Sequence, residues 1–114
     1  MNIIFDFKNK SNIHDILDIL YQTINDSLGE TIMFRGRHDK IIWDAYYDDL
    51  FCALSGEEFI SEFGDKVHLI FRNLNEFKTA EPENYKMFLE STIGYQLENL
   101  YKYGKVHFSY EIKD

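Results

Sequence analysis

Cysteine is almost absent from this chain of 114 residues: Cys52 stands alone. A single thiol rules out an intramolecular disulfide framework and points to a reducing compartment. Proline is as scarce, with Pro82 the only one, and no repeat, low-complexity tract or linker interrupts the chain. No apolar run approaches the roughly 20 residues needed to span a membrane. Residues 1–10 alternate and carry Asp6, so they are too short and too polar for the core of a signal peptide. The expected compartment is therefore the cytoplasm. Basic residues are outnumbered, 12 against 20 acidic, for a net charge of −8. That balance repels phosphate backbones and disfavours direct nucleic-acid binding. It would speed encounter with a basic partner.

What the chain does have is apolar mass. Hydrophobic residues make up 45% and aromatics 17%, including ten Phe and eight Tyr, which excludes a disordered chain. The length fits one domain, residues 1–114, able to bury a single core without disulfide or metal.

Residues 2–7 read as a first strand, with Ile3, Phe5 and Phe7 on one side. Ser11 or Asn12 caps a helix whose apolar positions, Ile13, Ile16, Leu17, Leu20, Ile24 and Leu28, recur at helical spacing. Gly29 is its stop. A looser stretch, residues 31–38, precedes a second helix capped by Asp39 and running to about residue 54. Residues 57–63 form at most one further turn. Val67 to Phe71 is a second strand, apolar enough for burial on both faces. A short helical piece over residues 74–79 leads to Pro82, placed in the first turn of a long helix. That helix carries Tyr85, Phe88, Leu89, Ile93, Leu97, Leu100 and Tyr101 on one stripe, and Gly104 follows its end. Residues 106–112 alternate as a last strand. The order β-α-α-β-α-α-β predicts an α/β fold, a three-stranded parallel sheet packed against one layer of helices.

The second helix carries the functional reading. At about 100° per residue, Ile42, Tyr46, Leu50 and Ala53 fall within an arc of about 80° and form the core stripe. Lys40, Asp44, Tyr47, Asp48 and Phe51 occupy the opposite side, with Ile41 at its edge and Trp43 at the rim of the core stripe. Asp44 and Asp48 are one turn apart, where like charges repel. Tyr47 and Phe51 beside them add aromatic area to the same face. Carboxylates among aromatic anchors on one rigid surface suit a basic pocket. The competing reading is a solvated acidic face whose aromatics are covered by residues 57–63.

Catalytic and metal signals are weak. His14, His38, His68 and His107 show no HxxxH or HExxH spacing, and CxxC is absent. Ser55-Gly56 lacks the strand-turn-helix context of a nucleophile elbow, and Gly36 alone is no phosphate loop. Cys52 is flanked by apolar residues and reads as inert. The expectation is a protein without enzymatic activity, cofactor or metal.

Phe34-Arg35-Gly36 followed by Trp43-Asp44 resembles the barstar-like family, intracellular inhibitors of secreted ribonucleases. Ile70-Phe71-Arg72, Phe77 and Gly104 fall in that family's order, and its topology matches the one above. The motifs cover about 20 residues, and residues 55–65 would be an insertion. The resemblance implies a barstar-like fold and an immunity protein that occludes a nuclease active site. It implies that Asp44 replaces a substrate phosphate, that Trp43 lies at the interface edge and that Phe34 stacks on the enzyme. The implied surface comprises Phe34, Arg35, Gly36, Arg37, His38, Lys40, Ile41, Trp43, Asp44, Tyr47, Asp48 and Phe51. The chain departs from the family at Lys40, where an aspartate is usual, at His38, where asparagine is usual, and in the basic Arg35 and Arg37. Asp48 is placed to substitute for the lost acid. These departures imply a different partner from the family's own ribonuclease: the nuclease tip of a secreted or cell-surface bacterial toxin, such as one of contact-dependent growth inhibition. A non-inhibitory adaptor using the same face is the alternative.

Overall fold

A computed structural model of the chain describes residues 2–29, 43, 46, 52, 66–97 and 107–113. The described elements are β1 (Asn2–Asp6), α1 (Ile13–Leu28), β2 (Lys66–Arg72), α2 (Asn75–Ala80), α3 (Pro82–Leu89), a π-helix (Glu90–Leu97) and β3 (His107–Lys113). Trp43, Tyr46 and Cys52, between α1 and β2, are helical.

The three strands form a parallel sheet in the order β1-β2-β3. Ile3 pairs with Leu69 and Phe5 with Phe71, while Val67, Leu69 and Phe71 pair with Phe108, Tyr110 and Ile112. Side chains alternate across a strand, so these apolar positions share one face. That face carries the core. Phe5, Phe7 and Phe71 stack at centroid separations of 5.2–6.4 Å. Phe88 meets Phe7, Phe71 and Phe77 edge-on, at 6.1, 6.4 and 6.2 Å. Stacked and edge-on rings in contact add about 0.5–1.5 kcal/mol per pair beyond their area burial.

Helix α1 begins as its sequence directs. Asn12 has an extended backbone, and its side-chain oxygen accepts from the Asp15 N–H at 3.0 Å. The Ile13 N–H donates to Glu81 Oε1 at 2.8 Å, so the α2–α3 junction also satisfies this helix end. Gly29 closes it in the left-handed region at φ 71, its N–H bonded to the Asp26 carbonyl. Ile13, Ile16, Leu17, Leu20 and Ile24 are all buried against the sheet.

Two expectations are corrected. The long helix after Pro82 is α-helical only to Leu89 and then widens into a π-helix. The change falls where Ser91, Thr92, Ile93 and Gly94 follow one another, all weaker helix formers than Ala or Leu. Ser91 and Thr92 are buried, and their hydroxyls bond the Met87 carbonyl and the Tyr46 hydroxyl respectively. The bond from Ser91 to a backbone carbonyl competes with the regular ladder. The second strand, in turn, is buried on both faces only in part. Ile70 is buried on the side away from the described helices, but His68 is half-buried and Lys66 and Arg72 are exposed.

The expected turn at residues 57–63, the insertion at 55–65 and the glycine at 104 lie outside the described residues. Among the described residues, no helix is long and apolar enough to cross a membrane.

Candidate functional site

Of the residues the sequence assigns to a partner-binding surface, Trp43 is described. Phe34, Arg35, Gly36, Arg37, His38, Lys40, Ile41, Asp44, Tyr47, Asp48 and Phe51 lie outside the described residues. Trp43 is half-buried, with its ring at 87° to that of Tyr46 and the centroids 5.9 Å apart. Tyr46 is only 3% exposed. Its ring stacks on Tyr21 of α1 at 6.4 Å, and its hydroxyl is hydrogen-bonded to Thr92 of the π-helix. Trp43 is thereby linked, through Tyr46, to α1 and to the π-helix. Cys52 is exposed, which its apolar neighbours did not suggest.

The helical period agrees with these positions. Tyr46 lies in the predicted core stripe and is buried, while Trp43 lies at the predicted rim and is half-buried. A tryptophan held this way has its inner edge fixed by packing and its outer edge accessible. Large amphipathic rings of that kind anchor protein interfaces.

A second cluster stands on the open face of the sheet, and the sequence alone did not assemble it. His68 of β2 pairs in register with Ser109 of β3, and Ile70 pairs with Glu111. His68 Nδ1 lies 2.7 Å from Ser109 Oγ, and Nε2 lies 3.1 Å from Glu111 Oε1. Lys113 Nζ approaches the same carboxylate oxygen at 3.5 Å. The carboxylate can only accept, so Nε2 carries the hydrogen; in the neutral ring Nδ1 then accepts from the Ser109 hydroxyl. The hydrogen bond from His68 holds the Glu111 carboxyl below its ordinary value of 4.5, with the charge of Lys113 acting in the same direction. An open cleft of about 400 Å³ adjoins this cluster, lined by Lys66, Val67, His68, His107, Phe108 and Ser109.

Hydroxyl, imidazole and carboxylate in series have the connectivity of nucleophile, base and orienting acid. Their setting differs from that of a catalytic site. The His68 and Glu111 side chains are 30% and 39% exposed, so water competes for every bond in the chain. Preorganised catalysis depends on excluding that water. The cluster is better described as a polar clasp joining β2 to β3. Among the described residues, no group of three or more His, Cys, Asp or Glu could hold a metal ion.

The carboxyl ends of the strands, where parallel sheets commonly bind ligands, are laced together. Asn73, at φ 63, donates from its side chain to Asp6 Oδ1 at 2.7 Å, and its N–H bonds the Lys113 carbonyl at 3.0 Å. The Lys8 N–H reaches the same Asp6 oxygen at 3.1 Å. The bond from Asn73, followed by that from Lys8, lowers the Asp6 pKa. Asn73 thus spans the ends of β1 and β3.

No family model, curated protein or solved structure matches this chain.

Proposed function

We propose that this chain is a barstar-like immunity protein, which binds a cognate bacterial ribonuclease-type toxin and covers its active site. The three-stranded parallel sheet under a layer of helices is compatible with a barstar-like fold. The observation that carries the reading is the seating of Trp43, helical and half-buried with its edge against the buried Tyr46. The resemblance puts the tryptophan at the edge of the inhibitory surface, and a half-buried Trp43 with part of its ring accessible suits that role. Asp44, its neighbour in sequence, is proposed to enter the pocket that binds a substrate phosphate. Phe34, Asp48, Tyr47 and Phe51 are proposed to complete the contact.

Charge supports the same partner. A net charge of −8 favours a basic protein surface over a polynucleotide. Steered association of this kind weakens as salt rises, because screening extends over about 8 Å at physiological ionic strength.

The test is co-expression with the product of the gene immediately upstream, read out by growth and by RNA integrity. The expected result is protection by the native chain and its loss in Asp44→Lys. In a binding assay, Asp44→Ala is expected to cost at least about 2 kcal/mol, as hot-spot charges do. Lys113→Ala, on the sheet, serves as the remote control. A harmless upstream product, or unchanged affinity in both Asp44→Ala and Asp48→Ala, would defeat the assignment.

A further inference from the structure

Among the described residues, every buried side chain is aliphatic or aromatic except those of Ser91 and Thr92. Ser91 bonds the Met87 carbonyl of its own helical run. Thr92 reaches the hydroxyl of Tyr46, from a distant part of the sequence. A buried hydroxyl costs free energy unless it is bonded, and a bonded pair adds little stability over a shape-matched apolar pair. What such a pair supplies is geometry, because a hydrogen bond has a direction and apolar packing has none.

Geometry at this place bears on Trp43. The Tyr46 ring stacks on Tyr21 of α1 at 6.4 Å and 13°, and its hydroxyl meets Thr92. Trp43 lies against the same ring at 5.9 Å and 87°. The stack sets the plane of the Tyr46 ring, and the bond to Thr92 sets how far the ring slides within that plane. An edge-on contact depends on both, since its favourable separations span only a few ångströms. The π-helix that carries Thr92 fits such a role, because wide turns of this kind are rare and collect at functional sites.

We propose that Thr92 is a positioning residue for partner binding: through its bond to Tyr46 it sets the pose in which Trp43 meets the nuclease toxin. Thr92 is 2% exposed, so it acts through Tyr46 and not by contact with the partner. This role rests on the immunity reading above, and it adds a residue that lies outside the resembled motifs.

Trp43 is the only tryptophan of the chain, so indole emission reports its pose directly. Thr92→Val keeps the shape of the side chain and removes the hydroxyl. The expected result is a red-shifted emission, more readily quenched by acrylamide, in a chain that circular dichroism shows to be folded. The dissociation constant for the product of the gene immediately upstream should rise about three- to tenfold. Tyr46→Phe should reproduce both changes from the other end of the bond. Thr92→Ser keeps the hydroxyl and should restore the native spectrum and most of the affinity.

A loss of stability alone moves neither readout while nearly all of the chain is folded. Ile70→Ala, on the open face of the sheet, is the control: it should lower the unfolding midpoint and leave emission and affinity unchanged. Asp44→Ala separates this role from the reading on which it rests. If Asp44→Ala weakens binding while Thr92→Val leaves emission or affinity as it was, the positioning role falls and the immunity reading stands. If Asp44→Ala and Asp48→Ala both leave binding unchanged, the immunity reading falls and the role falls with it.

Discussion

On one side, the central strand sets Val67, Leu69 and Phe71 under the helices, each 2% exposed or less. On the other, the same strand offers Lys66, His68 and Arg72, with Ile70 the one buried apolar side chain among them. The covered face holds its strands together by rings: Phe5, Phe7 and Phe71 stack on one another, and Phe88 of α3 meets Phe7 and Phe71 edge-on. The open face holds β2 to β3 by hydrogen bonds among His68, Ser109 and Glu111. The lesson is one of magnitude. A ring removed from water contributes about 1.5–3 kcal/mol, whereas exposed ion pairs contribute about 0–1 kcal/mol. The covered face therefore accounts for stability, and the open face for register.

Substitutions on the two faces should therefore differ in cost. Phe71→Ala removes the ring at the centre of the stacked cluster and should destabilise by about 3–5 kcal/mol in chemical denaturation. Equal stability in that variant would mean that the cluster does not hold the fold. Ile70→Ala, one residue away but on the opposite face, should cost less, about 2 kcal/mol, because that face can relax towards solvent. A loss as large as that of Phe71→Ala would show the open face to be as tightly packed as the covered one.

Tyr46→Phe tests a buried polar pair within the core. It keeps the ring against Trp43 and Tyr21 but deprives the buried Thr92 of its partner. The expected loss is about 1–2 kcal/mol, the cost of stranding a buried polar group. Thermal unfolding of Tyr46→Phe beside Thr92→Val would separate the hydrogen bond from the packing. The double variant should lose less than the sum of the two single losses.

The smallest effect should come from Glu111→Gln. The folded carboxyl titrates below 4.5 because His68 donates a hydrogen bond to the charged form. A lowered folded-state pKa contributes stability that is present above 4.5 and lost as pH falls through the folded value. The midpoint difference between the native chain and Glu111→Gln should therefore be small near neutrality and vanish in acid. A difference that grows below pH 4.5 would contradict the pairing with His68.

How far the fold could be read from the sequence differs from element to element. Helix α1 was legible at both ends, because Asn12 and Gly29 act through their own backbone and side-chain geometry. Pro82 marked the start of α3 for the same local reason. The parallel sheet followed from strands separated by helices. The winding after Leu89 was not legible, since Tyr85, Phe88, Leu89 and Ile93 give the same stripe whichever helix carries them. The tie between that winding and the rest of the fold was hidden too, since Thr92 meets Tyr46, 46 positions away in sequence. The clasp on the open face was invisible for a similar reason. His68 and Ser109 are 41 positions apart, and only the register of β2 with β3 brings them together. Alternation also marked Phe108, Tyr110 and Ile112 as an apolar face. Whether anything covers that face does not follow from alternation.

Of the candidate partner surface, the seating of Trp43 and Tyr46 agrees with the helical period. The charged residues beside them, Asp44 and Asp48, rest on sequence and resemblance.

By itself the sequence determined what acts locally: the caps and stops of helices, the alternation of strands, the acidity of the chain and the identity of its core residues. These depend on φ and ψ preferences, side-chain hydrogen bonds a few residues long, and the free energy of burying apolar area. Tertiary structure decided which faces meet, which apolar residues stay exposed, and which distant polar groups become partners. Those outcomes depend on strand register and on distances between residues tens of positions apart, and no local preference encodes either.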